Sequence, residues 1–352
     1  MQATIDAGLI QEAIRVALRL SPPITEAFIL EAKKNKLHLI SVGELSKCTI
    51  LLPCEVEGNA MFAIPTEALK DATAGRQDVV LTYDQTMLKI KKGSYSTSLT
   101  TLDAIEPDAD EKIEGENWTI NADQLRWLKE AVNNVALKPT QNLTTFMPVS
   151  LKIGPKSSFV SCYDANHMSF TSSKEVTGTL NLTLPLDLLR SVLDTFTAVE
   201  CSMTVSKSAV RVRNQIITVT LSLPDVEDEV IAIEDVMEKA KEARTAEAKT
   251  TEVAKKDVLA FLVNAKSVAT RERSEVTIVL EPGAAVFEVK TTNGTSRVKL
   301  KAATKDKQTL KIDYEYFDEI VRKSAESVSF KIVDNFAVFK TPVCHSLIAL
   351  NQ

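Results

Sequence analysis

Three histidines, five cysteines and a few acidic clusters are the side chains of this sequence best suited to chemistry, and their spacing does not assemble a reaction centre. His38, His167 and His345 stand apart, with no Cys, His or Glu at the intervals that hold zinc. His167 follows Asp164 as a catalytic dyad partner could. Its context, Val160-Ser161-Cys162-Tyr163-Asp164-Ala165-Asn166-His167-Met168, reads instead as a strand entering a turn, where a surface hydrogen bond is the expected role. Cys48, Cys54, Cys162, Cys201 and Cys344 contain no Cys-x-x-Cys pair, so free buried thiols are expected rather than a disulfide framework or a metal site. Glu227-Asp228-Glu229 falls in a charged stretch away from any evident pocket. Ten glycines in 352 residues leave no Walker loop, no Gly-x-Gly-x-x-Gly and no Gly-x-Ser-x-Gly elbow. The sequence speaks against an enzyme, and no cofactor is expected.

The elements that would position these residues repeat along the chain. Thr4-Ile5-Asp6-Ala7 leads into Ile10, Ile14, Ala17 and Leu18 on one helical face, with Gln11, Arg15 and Arg19 on the other. Thr119-Ile120-Asn121-Ala122 leads likewise into Leu125, Leu128, Val132 and Val135, with Arg126, Lys129 and Asn133 opposite. Glu252-Val253-Ala254 opens a third copy through Val258, Phe261, Leu262, Ala265 and Val268. Such a helix recurs about every 115–135 residues. Roughly 60 residues after each comes a shorter helix with its own entry signal. These are Ile64-Pro65-Thr66-Glu67-Ala68-Leu69, Leu184-Pro185-Leu186-Asp187-Leu188-Leu189 and Ile312-Asp313-Tyr314-Glu315-Tyr316-Phe317, where proline or an early acid suits a helix N-terminus. Between the helices the period changes to two, with β-branched runs at Leu37–Val42, Val79–Tyr83, Val210–Arg213, Val276–Leu280 and Ser329–Val333.

The expected architecture is therefore α+β: three copies of a unit that is itself two copies of a helix followed by antiparallel strands. Domain limits fall at 1–110, 111–225 and 226–352, marked by Asp108-Ala109-Asp110-Glu111 and Pro224-Asp225. Residues 226–251 read as a charged, partly helical linker, with Asp235–Arg244 expected as a solvated helix bridging two domains. The composition, 44% hydrophobic and 25% charged, suits two or three buried cores under a polar surface. No run approaches the ~18–20 apolar residues of a membrane helix, and Met1-Gln2-Ala3-Thr4-Ile5-Asp6 lacks a basic start before an apolar run. A cytoplasmic protein without a membrane partner is expected.

This organisation resembles the bacterial beta sliding clamp and its phage-encoded relatives. Thr101-Leu102-Asp103-Ala104 is similar to the Thr-Leu-Pro-Ala run that closes the first domain of that family. Residues 160–168 resemble its Val-Ala-Thr-Asp-Gly-His-Arg-Leu motif, and Leu223-Pro224-Asp225 its Phe-Pro-Asp. The sequence departs from the family where Asp-Gly-His becomes Asp164-Ala165-Asn166, and where Ser346-Leu347-Ile348-Ala349-Leu350-Asn351-Gln352 replaces Met-Pro-Met-Arg-Leu. A divergent, viral-type clamp fits these departures.

The resemblance implies a homodimeric ring around duplex DNA, placed there by a clamp loader and tethering a DNA polymerase through short linear motifs. Lys and Arg on the helices of its inner wall would meet phosphates without reading sequence. The matching positions are Arg15, Arg19, Lys70, Arg76, Arg126, Lys129, Lys138, Arg190, Lys266, Arg271, Arg273, Arg322 and Lys323. A net charge of −5 argues against gripping DNA by bulk charge and is compatible with enclosing it. The family's apolar peptide pocket maps onto Tyr163, Met168, Pro224, Val226, Leu347, Ile348 and Leu350, although Met168 and Leu347 would serve equally as core residues. Ring closure would join the two copies head to tail. The strand through Leu99 and Leu102 would pair with one near Val276 and Ile278, and Val268 would pack beside it. A second reading keeps the fold without the ring: a monomeric processivity factor or scaffold.

Overall fold

The computed structural model describes residues 1–75, 77–104, 113–137, 147–164, 166–196, 200–223, 233–269, 274–304 and 307–350. A single local pattern recurs through them, in which a strand runs directly into a helix. Gln2–Ile5 enters α1 (Ala7–Leu20), Ala60–Pro65 enters α2 (Thr66–Ala72), Glu116–Ile120 enters α3 (Ala122–Val135) and Leu180–Pro185 enters α4 (Leu186–Phe196). After α5 (Ile233–Thr245), Thr250–Ala254 enters α6 (Lys255–Ala265) and Gln308–Asp313 enters α7 (Tyr314–Lys323). The polar residue at several of these junctions starts the helix. Asp6 Oδ1 accepts from the Leu9 N–H at 3.1 Å, and Asp313 Oδ1 accepts from the Glu315 and Tyr316 N–H groups at 2.8 and 3.3 Å. Asn121 and Gln124 each accept from the other's backbone N–H, at 2.9 and 3.1 Å, a reciprocal capping box.

Between these helices the strands pair antiparallel throughout. The chain divides into two compact units, Met1–Arg126 with Asp187–Glu227, and Trp127–Leu186 with Asp228–Gln352. The first unit holds a five-stranded sheet, ordered 55–57, 2–5, 79–83, 87–92, 95–100, and an eight-stranded sheet. The latter is continuous because Ile217–Ser222 pairs with Ser46–Leu52, setting Val219 opposite Cys48. Close packing at its rim depends on Gly115, where a Cβ would lie 1.7 Å from the Val205 carbonyl oxygen. In this unit α1 buries Ala7, Ile10, Ala13, Ile14, Ala17 and Leu20, the three-four spacing of an amphipathic helix.

The second unit is built on one twelve-stranded sheet, continuous because His167–Ser173 pairs with His345–Ala349. Its α6 and α7 bury Phe261 and Phe317 in an aromatic chain that also includes Phe287, Phe339 and Phe330, with successive centroids 5.1–6.1 Å apart. The charged segment departs from its expected role. α5 is amphipathic and buries Val236, Ala240 and Ala243, so it is a packed helix rather than a solvated one. Those three residues share a face because they stand at i, i+4 and i+7.

Candidate nucleic-acid interface and docking row

Of the expected phosphate contacts that are described, all but Lys266 fall within helices. Arg15 and Arg19 are exposed on α1, Lys70 on α2, Arg126 on α3, and Arg322 at the end of α7; Lys266 is exposed just past α6. Lys129 and Arg190 are half-buried on α3 and α4. Arg76, Lys138, Arg271 and Arg273 lie outside the described residues. Four of these cations carry an acid one turn earlier on the same helix: Arg15 with Glu12 at 2.6 Å, Lys70 with Glu67 at 3.0 Å, Arg126 with Asp123 at 3.0 Å and Arg322 with Asp318 at 2.8 Å. Each pair is close to neutral in sum, which weakens the field these helices offer to a phosphate. Arg19 donates to Thr195 Oγ1 of α4 at 2.9 Å.

Lys323 is engaged differently. Its ammonium donates to the Asn134 and Ala136 carbonyls, both at 3.0 Å, and to Glu319 Oε1 at 2.7 Å. A lysine has three N–H donors, and all three end inside the protein. Two of them satisfy carbonyls at the C-terminal end of α3, where a helix leaves its last carbonyls without helical partners.

The expected peptide pocket divides across two faces of one sheet. By register Tyr163 stands opposite Met168, Met168 opposite Leu347, and Leu347 opposite Val338, so these four side chains form a row on one face. Ile348 is one residue out of phase and joins the core beneath α6 and α7, with Leu350 packed against that same core. Pro224 and Val226 lie outside the described residues. The row is covered by α5, whose Val236, Ala240 and Ala243 pack with Phe159, Tyr163, Phe170, Val338 and Leu347. Charge masks this helix in the sequence, although the four-three spacing of its apolar residues is present there.

His167 is buried rather than at the surface. Its backbone N–H donates to Asp164 Oδ1 at 2.8 Å, while the ring lies 4.9 Å from that of Tyr316, whose hydroxyl donates to Asp164 Oδ2 at 2.5 Å. Burial, with Lys323 nearby, pushes its pKa down to about 3, so the imidazole is neutral. Neither ring nitrogen has a hydrogen-bond partner among the described residues. Burial also raises the thiols of Cys48 and Cys201 to about 12 and that of Cys162 to about 11. Among the described residues no group of three His, Cys, Asp or Glu side chains could hold a metal, and no helix is long and apolar enough to cross a membrane.

The expected joint between copies needs a correction. Val276 and Ile278 are fully buried, and their strand, Glu275–Glu281, is paired on both edges, by Ala284–Thr291 and Gln308–Asp313. No hydrogen-bonding edge is left there for a second chain. Leu99 is half-buried on the outermost strand of its sheet, Tyr95–Thr100. Leu102 is 53% exposed and bridges to Ala63. Val268 packs partly against the core of the second unit, and its carbonyl accepts from Thr291 Oγ1 at 2.7 Å.

Compared with solved structures, the whole chain follows one architecture. It matches the DNA polymerase III subunit beta from Pseudomonas aeruginosa over 100% of both chains, at 13% identity and a TM-score of 0.81. The DNA polymerase sliding clamp from Caulobacter crescentus matches over the same extent, at 12% identity and 0.81. A sliding clamp (DNA polymerase III subunit beta) from Bartonella birtlesii, solved bound to griselimycin, matches at 14% identity and 0.80, again over 100% of both chains. The chain has the beta sliding clamp fold. No family model matches its sequence, and no curated protein matches it either. A clamp fold can persist at such low identity because it depends on the period of apolar residues and on the helix-entry signals, which tolerate wide exchange of side chains.

Proposed function

We propose that this chain is a DNA sliding clamp: two copies close head to tail around duplex DNA and tether a DNA polymerase and its loader as a processivity factor. The observation that carries the reading is the agreement in fold with polymerase clamp subunits over 100% of both chains. On this reading the chain contains three clamp domains, 1–110, 111–225 and 226–352, and closes at two free strand edges. One is Tyr95–Thr100, which among the described residues pairs with Met87–Lys92 alone. The other is the stretch 294–301 of Gly294–Ala303, which pairs along one side with Ala284–Thr291, whereas among the described residues Thr250–Ala254 meets the other side at Ala302 and Ala303 alone. Val268 sits beside this second edge, with its Cγ2 4.0 Å from where a Cβ on Gly294 would lie.

Arg15, Arg19, Lys70, Arg126, Lys129, Arg190, Lys266 and Arg322 are the proposed phosphate contacts. The acids paired with four of them favour weak, mobile attraction over a grip, as a sliding ring requires. Partners are proposed to dock on the row Tyr163, Met168 and Leu347. Two measurements test the proposal together: native mass, and retention on nicked circular against linear duplex after loading. A dimer that persists on circles and runs off linear ends supports it. A monomer that still stimulates a polymerase would favour the open scaffold, and equal retention on both templates would refute topological holding.

A further inference from the structure

We infer that the apolar row beneath α5 is a helix-binding groove, held in cis by α5 and open in trans to a partner's amphipathic helix of the same spacing. This rests on the reading of that row as the partner-docking surface. Among the described residues six helices extend a preceding strand, whereas α5 has no such strand and lies outside the repeat. It contributes Val236, Ala240 and Ala243 to the contact, with Met237 partly buried beside them, while the floor contributes Phe159, Phe170, Tyr163, Val338 and Leu347, with Met168 partly buried against them. The floor is thus more extensive in character than its occupant, and Met168 and Met237 are side chains that re-pack readily.

Polar contacts hold α5 near its ends. Glu234 in the first turn meets Lys152 at 2.7 Å, with both side chains more than a third exposed. At the other end Arg244 Nη1 donates to Ser172 Oγ at 3.4 Å, and Lys331 donates to the Arg244 and Ala246 carbonyls at 3.2 and 2.8 Å. A helix of 13 residues does not sustain itself alone in water, so α5 persists because it is seated. These contacts describe what the groove takes. The partner helix has apolar residues at i, i+4 and i+7, an acid in its first turn for Lys152, and free terminal carbonyls for Lys331. Because α5 is tethered, it competes at a high effective concentration and sets the affinity any partner must exceed.

The test uses a fluorescein-labelled peptide of residues 229–249 and the full-length chain. Val236→Asp with Ala240→Asp lifts α5 and should bind the peptide at least ~30-fold more tightly than the unaltered chain does, since the competing helix is gone. Adding Leu347→Asp to that variant should abolish binding. In the unaltered chain, amides of α5 should exchange with solvent faster than those of Ser158–Tyr163 and His345–Ala349, because the helix opens without unfolding its floor. Equal affinity of the two proteins, no binding by a folded variant, binding that survives Leu347→Asp, or α5 exchange as slow as its floor would each overturn the inference. So would concentration-dependent exchange of α5 between two copies. None of these readouts uses DNA or a polymerase, so failure of the ring reading would leave them unchanged.

Discussion

Replacing Lys323 with methionine keeps the aliphatic stem and deletes the ammonium that closes α7 against the end of α3. The structure makes this a stability experiment. Glu319 is 8% exposed at its side chain and Lys323 22%, so the pair is shielded well below the one-third exposure at which solvent screening dominates. Deleting one partner of a buried pair costs about 3–5 kcal/mol, because the remaining charge stays desolvated, whereas an exposed pair is worth about 0–1 kcal/mol. The Asn134 and Ala136 carbonyls lose their donor in the same step. Partial exposure of Lys323 places the expected loss near the lower bound, about 3 kcal/mol. For a cooperative unit of 150–250 residues that corresponds to roughly 6–12 °C in melting temperature. Differential scanning calorimetry of Lys323→Met checks it, with Lys323→Met/Glu319→Gln expected to recover a substantial part by removing the stranded charge. A single variant that melts within about 1 °C of the parent but loses duplex retention would refute the structural role and return Lys323 to the set of phosphate contacts.

Acid should destabilise the protein through His167. Its folded pKa is depressed to about 3, against about 6.5 unfolded, so the unfolded state binds the extra proton and stability is lost as pH falls from about 6.5 toward 3. The loss reaches about 2 kcal/mol at pH 5, and His167→Leu should flatten the melting-temperature profile between pH 7.5 and 5. Iodoacetamide on the native protein should label Cys54 first, since Cys48, Cys162, Cys201 and Cys344 are buried; labelling read by mass spectrometry that begins at Cys162 would contradict the burial. Changing Arg15, Lys70 and Arg126 to glutamine should weaken residual binding to free duplex and flatten its salt dependence by about 0.9 in slope for each phosphate no longer neutralised. An unchanged slope in a fluorescence-anisotropy titration would remove these side chains from the DNA-facing set.

The strand-into-helix repeat is legible in the amino-acid order alone. Period is a local property: Ile10, Ile14 and Ala17 define a helical face wherever the helix lies, and Asp6, Asn121 and Asp313 start their helices through bonds to residues two or three positions away. Alternation does the same for strands such as Val79–Tyr83. Which neighbour each element has is settled only by tertiary packing. Glu275–Glu281 reads as a strand in any context, but only sheet order shows both of its edges taken. Phase separates Leu347 from Ile348 between opposite faces, and register across the Phe170–His345 junction tells which of them joins Met168. Lys323 looks like any exposed helical base until two carbonyls almost 190 residues earlier in the chain are found to occupy its donors. The charged run around α5 hides three small apolar residues whose weak local signal becomes a docked helix only because a row of larger side chains, drawn from strands distant in sequence, lies beneath it. Burial, register and donor satisfaction are sums over partners far apart along the chain, and only the folded structure brings those partners together.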